Sequence, residues 1–268
     1  GTRFQHCIGV YHLAEVFIER LERMQPELNI TKEEKLCICI AGLMHDVGHI
    51  TQGHLYPLYV RYCNSKVLVE HEVMSIYIFQ MILEKYDLMK EFAKYNLDKK
   101  VRVISPGHVV EVHLICEIIL GDKKKAPKDW KWEGAPGREF LLQIVANANE
   151  YVVVLMMRRT GVDVDRFDYM LRDCMNVIAP RFPHFQLGLN CSYNYDRIIK
   201  GARCIRNSSN EYEAGIHRDS HAQICFNEKV NIDVFEMFQC RMSLHRRAYN
   251  VLSHRTITIS IAPIASST

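Results

Sequence analysis

The stretch Leu36-Cys37-Ile38-Cys39-Ile40-Ala41-Gly42-Leu43-Met44-His45-Asp46-Val47-Gly48-His49 joins an apolar run to a histidine–aspartate pair. Ahead of it, Thr31-Lys32-Glu33-Glu34 has the form of a capping box, with Thr31 as N-cap and Glu34 reaching back. The pattern predicts a helix over Lys32 to His45, apolar on every side and so expected in the centre of a bundle. Gly48 and Gly53 break it. An imidazole and a carboxylate at the end of a buried helix are costly unless something pairs with them. Alone, such a pair is a weak signal, because Asp46 could cap a helix and His45 could be a satisfied core residue.

The flanking segments are also helical in pattern. Arg3 to Met24 places Phe4, Ile8, Tyr11, Ala14, Phe17, Ile18 and Leu21 at helical spacing, and Gln25-Pro26 ends it. Val67 to Asp87, Lys90 to Tyr95, Val109 to Leu120, Phe140 to Met157, Asp165 to Met175 and Val234 to Tyr249 are predicted helices, with Val109 to Leu120 ambiguous between helix and strand. Gly121 to Gly137 is a predicted loop, broken by Lys123-Lys124-Lys125, Pro127 and Pro136. Short β-like pieces fall between Cys191 and Phe226, notably Ala222 to Phe226. The expected fold is mainly α, a helical bundle with a small β element in the C-terminal third. Residues 1–250 read as one core. The tail, 251–268, is atypical and is read as a strand or as disordered.

Composition narrows the class. The 268 residues are 48% hydrophobic and 24% charged, which excludes a disordered or collagen-like chain. A net charge of +3 excludes a general nucleic-acid coat. The ten cysteines form no C-x-x-C pair and several lie in apolar runs, which points to buried thiols in a reducing compartment. No apolar run approaches the roughly 20 residues of a membrane span. A soluble intracellular protein is expected. Histidine, at 13, is the unusual count.

His6 on the first helix, His45-Asp46, and Asp165 in Gly161-Val162-Asp163-Val164-Asp165 supply two imidazoles and two carboxylates from separate helices. Such a mixed set suits zinc, manganese or iron, with open positions for water. A metal with open positions can generate hydroxide near neutral pH.

Three motifs in order carry a resemblance. Arg3-Phe-x-His6 followed by His45-Asp46 and Asp165 is the pattern of HD-domain metal-dependent phosphohydrolases. The His45-Asp46-x-Gly-His49 stretch, Asp165-Arg-Phe-Asp-Tyr169-x-x-Arg-Asp173 and Arg241-x-Ser-Leu-His-Arg-Arg-Ala-Tyr249 closely resemble the vertebrate SAM-and-HD-domain deoxynucleoside triphosphate (dNTP) triphosphohydrolases.

The resemblance implies that His6, His45, Asp46 and Asp165 hold one divalent metal, and that magnesium accompanies the nucleotide. It implies that Arg3, His49, His54 and His71 surround the α- and β-phosphates, with His54 or His71 as general acid. Arg166, Tyr169, Asp173, Arg241 and Tyr249 would hold the triphosphate and deoxyribose. Arg197 and Lys229 match positions that bind an activating GTP or dNTP. The implied reaction releases a deoxynucleoside and inorganic triphosphate, lowering dNTP pools as an antiviral restriction. A nuclear protein, a dimer or tetramer, and contact with single-stranded nucleic acid are further implications.

The chain also departs from the family. Pro57 stands where the family has an Asp three residues after the second histidine, and 150–157 is an insertion. Gly201, Asn227 and Asp233 replace an aromatic, an Arg and an Asn at nucleotide-sensing positions. The SAM domain and C-terminal lobe are expected to be missing. These departures favour an alternative: a catalytically impaired HD module that binds nucleotide or single-stranded nucleic acid, or pairs with a full-length relative.

Overall fold

Two capping boxes start the helices that frame the molecule. In the computed structural model, which describes residues 2–49, 70–97, 101–105, 108–127, 130–132, 135–146, 161–178, 193–206 and 222–249, helix α1 (Arg3–Met24) begins where the Thr2 hydroxyl accepts from the Gln5 N–H and the Gln5 side chain accepts from the Thr2 N–H. Helix α2 (Lys32–Met44) begins with the same reciprocal pair at Thr31 and Glu34, as the sequence predicts. Each box satisfies two backbone donors that a helix start otherwise leaves unpaired.

α1 buries Val10, Leu13, Ala14, Phe17, Ile18 and Leu21 along one stripe. Fully burying a side chain of the Leu, Ile or Phe kind contributes about 1.5–3 kcal/mol, so this stripe fixes how α1 lies on its neighbours. Those neighbours are α2 and helix α6 (Val164–Ile178). α2 in turn packs on helix α3 (His71–Lys85) and helix α5 (His113–Leu120). Every residue of α5 except Leu114 is buried, so α5 shares the centre of the bundle with α2. Glu34, also buried, accepts from Arg138 Nε at 3.0 Å and Nη2 at 2.5 Å. That pair ties the start of α2 to the 3-10 turn Glu139–Gln143.

The remaining elements are helix α4 (Met89–Lys94), helix α7 (Tyr195–Gly201), helix α8 (Asn231–Leu244) and a π turn, His245–Tyr249, that continues α8. Strands β3 (Ala202–Arg206) and β4 (Ala222–Phe226) pair antiparallel, with Ala202 opposite Phe226, which gives the β element expected in the last third. The eight described cysteines form no disulfide, and all but Cys225 are buried. Among the described residues no helix is long and apolar enough to cross a membrane.

Two predicted helices need correction. Val109 to Val112 belongs to strand β2 (His108–Val112), paired antiparallel with β1 (Val101–Ser105) from Val101↔Val112 to Ser105↔His108. The β-branched run favours the strand, and helix starts only at His113. Phe140 to Gln143 lies in the 3-10 turn rather than an α-helix. Residues 144–146 follow it as non-helical backbone, while 147–157, which include the 150–157 insertion, and the 251–268 tail lie outside the described residues.

The joint between α2 and α3 sets the site. The Gly48 N–H donates to Ser75 Oγ at 2.8 Å, and that hydroxyl donates to the His45 carbonyl at 2.6 Å. A Cβ on Gly48 would stand 2.2 Å from the Ser75 nitrogen and 2.3 Å from the His71 carbonyl oxygen. Both are backbone atoms and cannot swing away. Gly48→Ala should therefore destabilise by about 1–3 kcal/mol, the usual cost of overpacking. Thermal unfolding measures this; an unchanged melting temperature would mean that the joint is looser than described.

Candidate metal centre

Four side chains from three helices converge on one point. His6 sits near the start of α1, His45 and Asp46 follow the last turn of α2, and Asp165 lies in the first turn of α6. His6 Nε2 is 3.1 Å from Asp165 Oδ1 and 3.5 Å from Asp46 Oδ2. His45 Nε2 is 3.4 Å from Asp165 Oδ1 and 3.7 Å from Asp46 Oδ1. Metal bonds of roughly 2.0–2.2 Å place ligand atoms around one ion about 3.0–3.6 Å apart, so the spacing fits a single first-row cation.

The hydrogen bonds behind the ligands fit as well. His45 Nδ1 lies 2.8 Å from the Gly42 carbonyl, an acceptor only, so the proton belongs on Nδ1. Its Nε2 is buried with no hydrogen-bond partner among the described residues, which is costly unless an ion uses it. His6 Nδ1 lies 2.7 Å from Asp168 Oδ2. Asp168 is gripped by Arg172, with Nε at 2.9 Å and Nη2 at 2.7 Å. This carboxylate–imidazole arrangement fixes the ring and turns Nε2 inward, the usual second layer of a histidine metal site. Asp168 and Arg172 were not singled out in the sequence. The available signal was a carboxylate three residues after Asp165 with an arginine four further on. Gly9 makes room for the pair: a Cβ there would lie 1.9 Å from Asp168 Oδ1.

Electrostatics follow from this packing. Burial disfavours the charged form of His6, but the hydrogen bonds to Asp165, Asp168 and Asp46 outweigh it and push its pKa up to about 11. His45 is also raised, with burial opposed by Asp165 and Asp46. Burial resists ionisation of Asp46, yet His6, His45 and Arg3 hold its carboxyl far below the ordinary range. Asp165 is held down in the same way by His45 and His6.

The other predicted residues divide into groups. Arg3 Nη1 donates to Asp46 Oδ2. His49 Nε2 is 3.5 Å and His71 Nε2 3.7 Å from Asp46 Oδ1, and the two rings stack with centroids 4.0 Å apart. Asp46, His49 and His71 are close enough to share an ion themselves. Tyr169 and Asp173 follow Asp165 at four-residue intervals on α6, one face of the helix. Tyr249 Oη donates to Asp173 Oδ2, and Tyr169 pairs with Arg241. Burial pushes the Tyr169 hydroxyl up to about 12. Arg241 Nε is buried with no acceptor among the described residues. Arg166 Nη1 donates to Asp163, which is buried. His54 and Pro57 lie outside the described residues. Arg197 and Lys229 stand apart from the metal cluster, on α7 and on the turn before α8, and Arg197 Nη1 is 3.2 Å from Asp233 Oδ2.

Comparison with known proteins agrees with this geometry. Residues 3–112 match the HD domain family. The chain is 30% identical over 252 residues to the human deoxynucleoside triphosphate triphosphohydrolase SAMHD1, covering 92% of this chain and 34% of that protein. The mouse protein of the same name is 31% identical over 266 residues, covering 97% and 36%. The SAMHD1 homolog of Dictyostelium discoideum is 30% identical over 261 residues, covering 97% and 39%. The chain spans little more than a third of the length of these relatives. The match to the HD domain family and the His and Asp groups together support a divalent metal site.

A metal ion must compete with protons for the imidazole nitrogens of His6 and His45. Affinity should therefore rise with pH between pH 6.5 and 8.5, by up to about tenfold per unit for each proton released. Competition against a chelator at several pH values checks this, and a flat profile would refute it. Asp168→Asn keeps the size but removes the charged acceptor behind His6. It should weaken metal binding about 10–100-fold while leaving the helical circular dichroism unchanged.

Proposed function

We propose that this chain hydrolyses dNTPs to a deoxynucleoside and inorganic triphosphate. The observation that carries the reading is the cluster of His6, His45, Asp46 and Asp165, flanked on one side by Arg3, His49 and His71 and continued along α6 by Tyr169 and Asp173. The three relatives compared above are named dNTP triphosphohydrolases, which supports the substrate class.

A divalent cation on those four ligands would supply Lewis acidity and lower the pKa of water; zinc, manganese and iron all suit the donor set. The chain's own residues then have distinct tasks. Arg3, Arg166 and Arg241 offer guanidinium groups to a triphosphate carrying about four negative charges. The buried Nε–H of Arg241, which lacks an acceptor among the described residues, would gain one in a phosphate oxygen. His71, paired on one edge with Glu72 and facing Asp46 with the other, can deliver a proton to the 5′ oxygen as it leaves the α-phosphorus. His54 is the other candidate for that role. Tyr249, tethered through its hydroxyl to Asp173, presents a rigid ring to the deoxyribose.

The activator expected at Arg197 and Lys229 faces a competitor within the chain. An incoming nucleotide phosphate would have to displace Asp233 from Arg197.

The decisive assay is release of triphosphate from dGTP by purified protein with manganese or magnesium, with and without GTP. The wild type should turn over. His45→Ala with Asp46→Ala should abolish both turnover and bound metal. Arg241→Ala should lower kcat/KM by about tenfold or more, the loss of a charge-assisted contact worth roughly 1.5–3 kcal/mol. Nucleotide binding without triphosphate release would favour the non-catalytic module, the reading to which Pro57 points.

A further inference from the structure

The lysine run Lys123-Lys124-Lys125 reads in the sequence as a solvated loop. The structure gives one of the three a buried partner. Helix α5 ends at Gly121, whose φ of 65° is the left-handed conformation that glycine adopts without cost. A Cβ there would also meet the Ala146 carbonyl oxygen at 2.4 Å. The Asp122 carboxylate then accepts from the Lys124 N–H at 3.0 Å and tightens Lys123–Lys125 into a 3-10 turn. With three residues per turn, successive side chains point about 120° apart, so one of the three can face the protein. Lys123 and Lys124 are exposed; Lys125 is turned in.

Lys125 Nζ donates to Glu72 Oε1 at 2.5 Å. Glu72 is 8% exposed. Its second oxygen, Oε2, lies 3.2 Å from His71 Nδ1, an ion-pair contact without hydrogen-bond geometry, and has no hydrogen-bond partner among the described residues. The far edge of that ring, Nε2, is 3.7 Å from Asp46 Oδ1. A chain of contacts therefore runs from a surface turn through a buried carboxylate to the imidazole beside the metal centre. A buried carboxylate stripped of its cation is strongly disfavoured and turns toward water where it can. Glu72 would then leave His71.

We propose that Lys125 is a positioning residue: it holds Glu72 against Nδ1 of His71 and so biases the ring whose Nε2 faces Asp46 at the metal centre. The kinetic consequence rests on the triphosphohydrolase reading; the orientation of the ring does not.

The test uses the metal-loaded chain and two readouts. In proton–nitrogen correlation spectra of the imidazoles, the His71 ring signals are assigned by their loss in His71→Gln. They should shift in Lys125→Met and return to the wild-type position in Lys125→Arg. In the dGTP assay, Lys125→Met should lower kcat roughly tenfold with KM and bound metal unchanged, and Lys125→Arg should restore most of it. Should Lys125→Met fail to fold, Glu72→Gln is read in the same spectrum, with the same shift expected. Ring signals unmoved by Lys125→Met, or moved and not restored by Lys125→Arg, overturn the proposal. A loss confined to KM also overturns it, since Lys125 would then touch substrate directly. A wild type that releases no triphosphate defeats the proposed function, and the spectra still decide the orientation of His71.

Discussion

Two carboxylates, Asp46 and Asp165, are held within a few ångströms of two buried imidazoles, and this concentration of charge needs either protons or a cation at its centre. The surrounding fold answers that need. Asp46 is the hub: one oxygen faces Arg3 and His6, the other faces His45, His49 and His71. Three helices that share little local sequence are brought together because each contributes a ligand and an apolar stripe. The stripe supplies the packing energy, and the ligands give the packing its register.

Small residues make the geometry possible. Gly48 lets α3 reach the end of α2, and Gly9 leaves space for the Asp168–Arg172 pair behind His6. In both cases a methyl group would strike an atom that belongs to the site or to the backbone that carries it. The second layer is thus built from absences of side chain as much as from hydrogen bonds.

What could be read from the sequence was whatever is local. The capping box at Thr31 depends on residues three apart. The α1 stripe and the Asp165, Tyr169 and Asp173 line on α6 depend on helical period alone. The ordered motifs made the His and Asp set recognisable, and the structure brings His6, His45, Asp46 and Asp165 together. What escaped was non-local or competed with an apolar signal. Val109 to Val112 satisfies either period, and pairing with Val101–Ser105, distant from any helix pattern, decides it as strand. The Arg172–Asp168–His6 chain joins residues 162 or more positions apart at its critical link. Lys125 looked like its two neighbours because only the 3-10 turn separates their directions.

The Ser75 hydroxyl locks the two helices in register. It accepts from Gly48 and donates to His45, so its proton and its inward lone pair are both committed. α3 cannot slide along α2 by part of a turn without breaking both bonds at once. His71, four residues before Ser75 on the same helix, therefore stands at a set distance from His45 and Asp46. The joint thus works as a ruler: it sets the span between the His45–Asp46 pair and the His71 ring, and any ligand bridging the two must match that span.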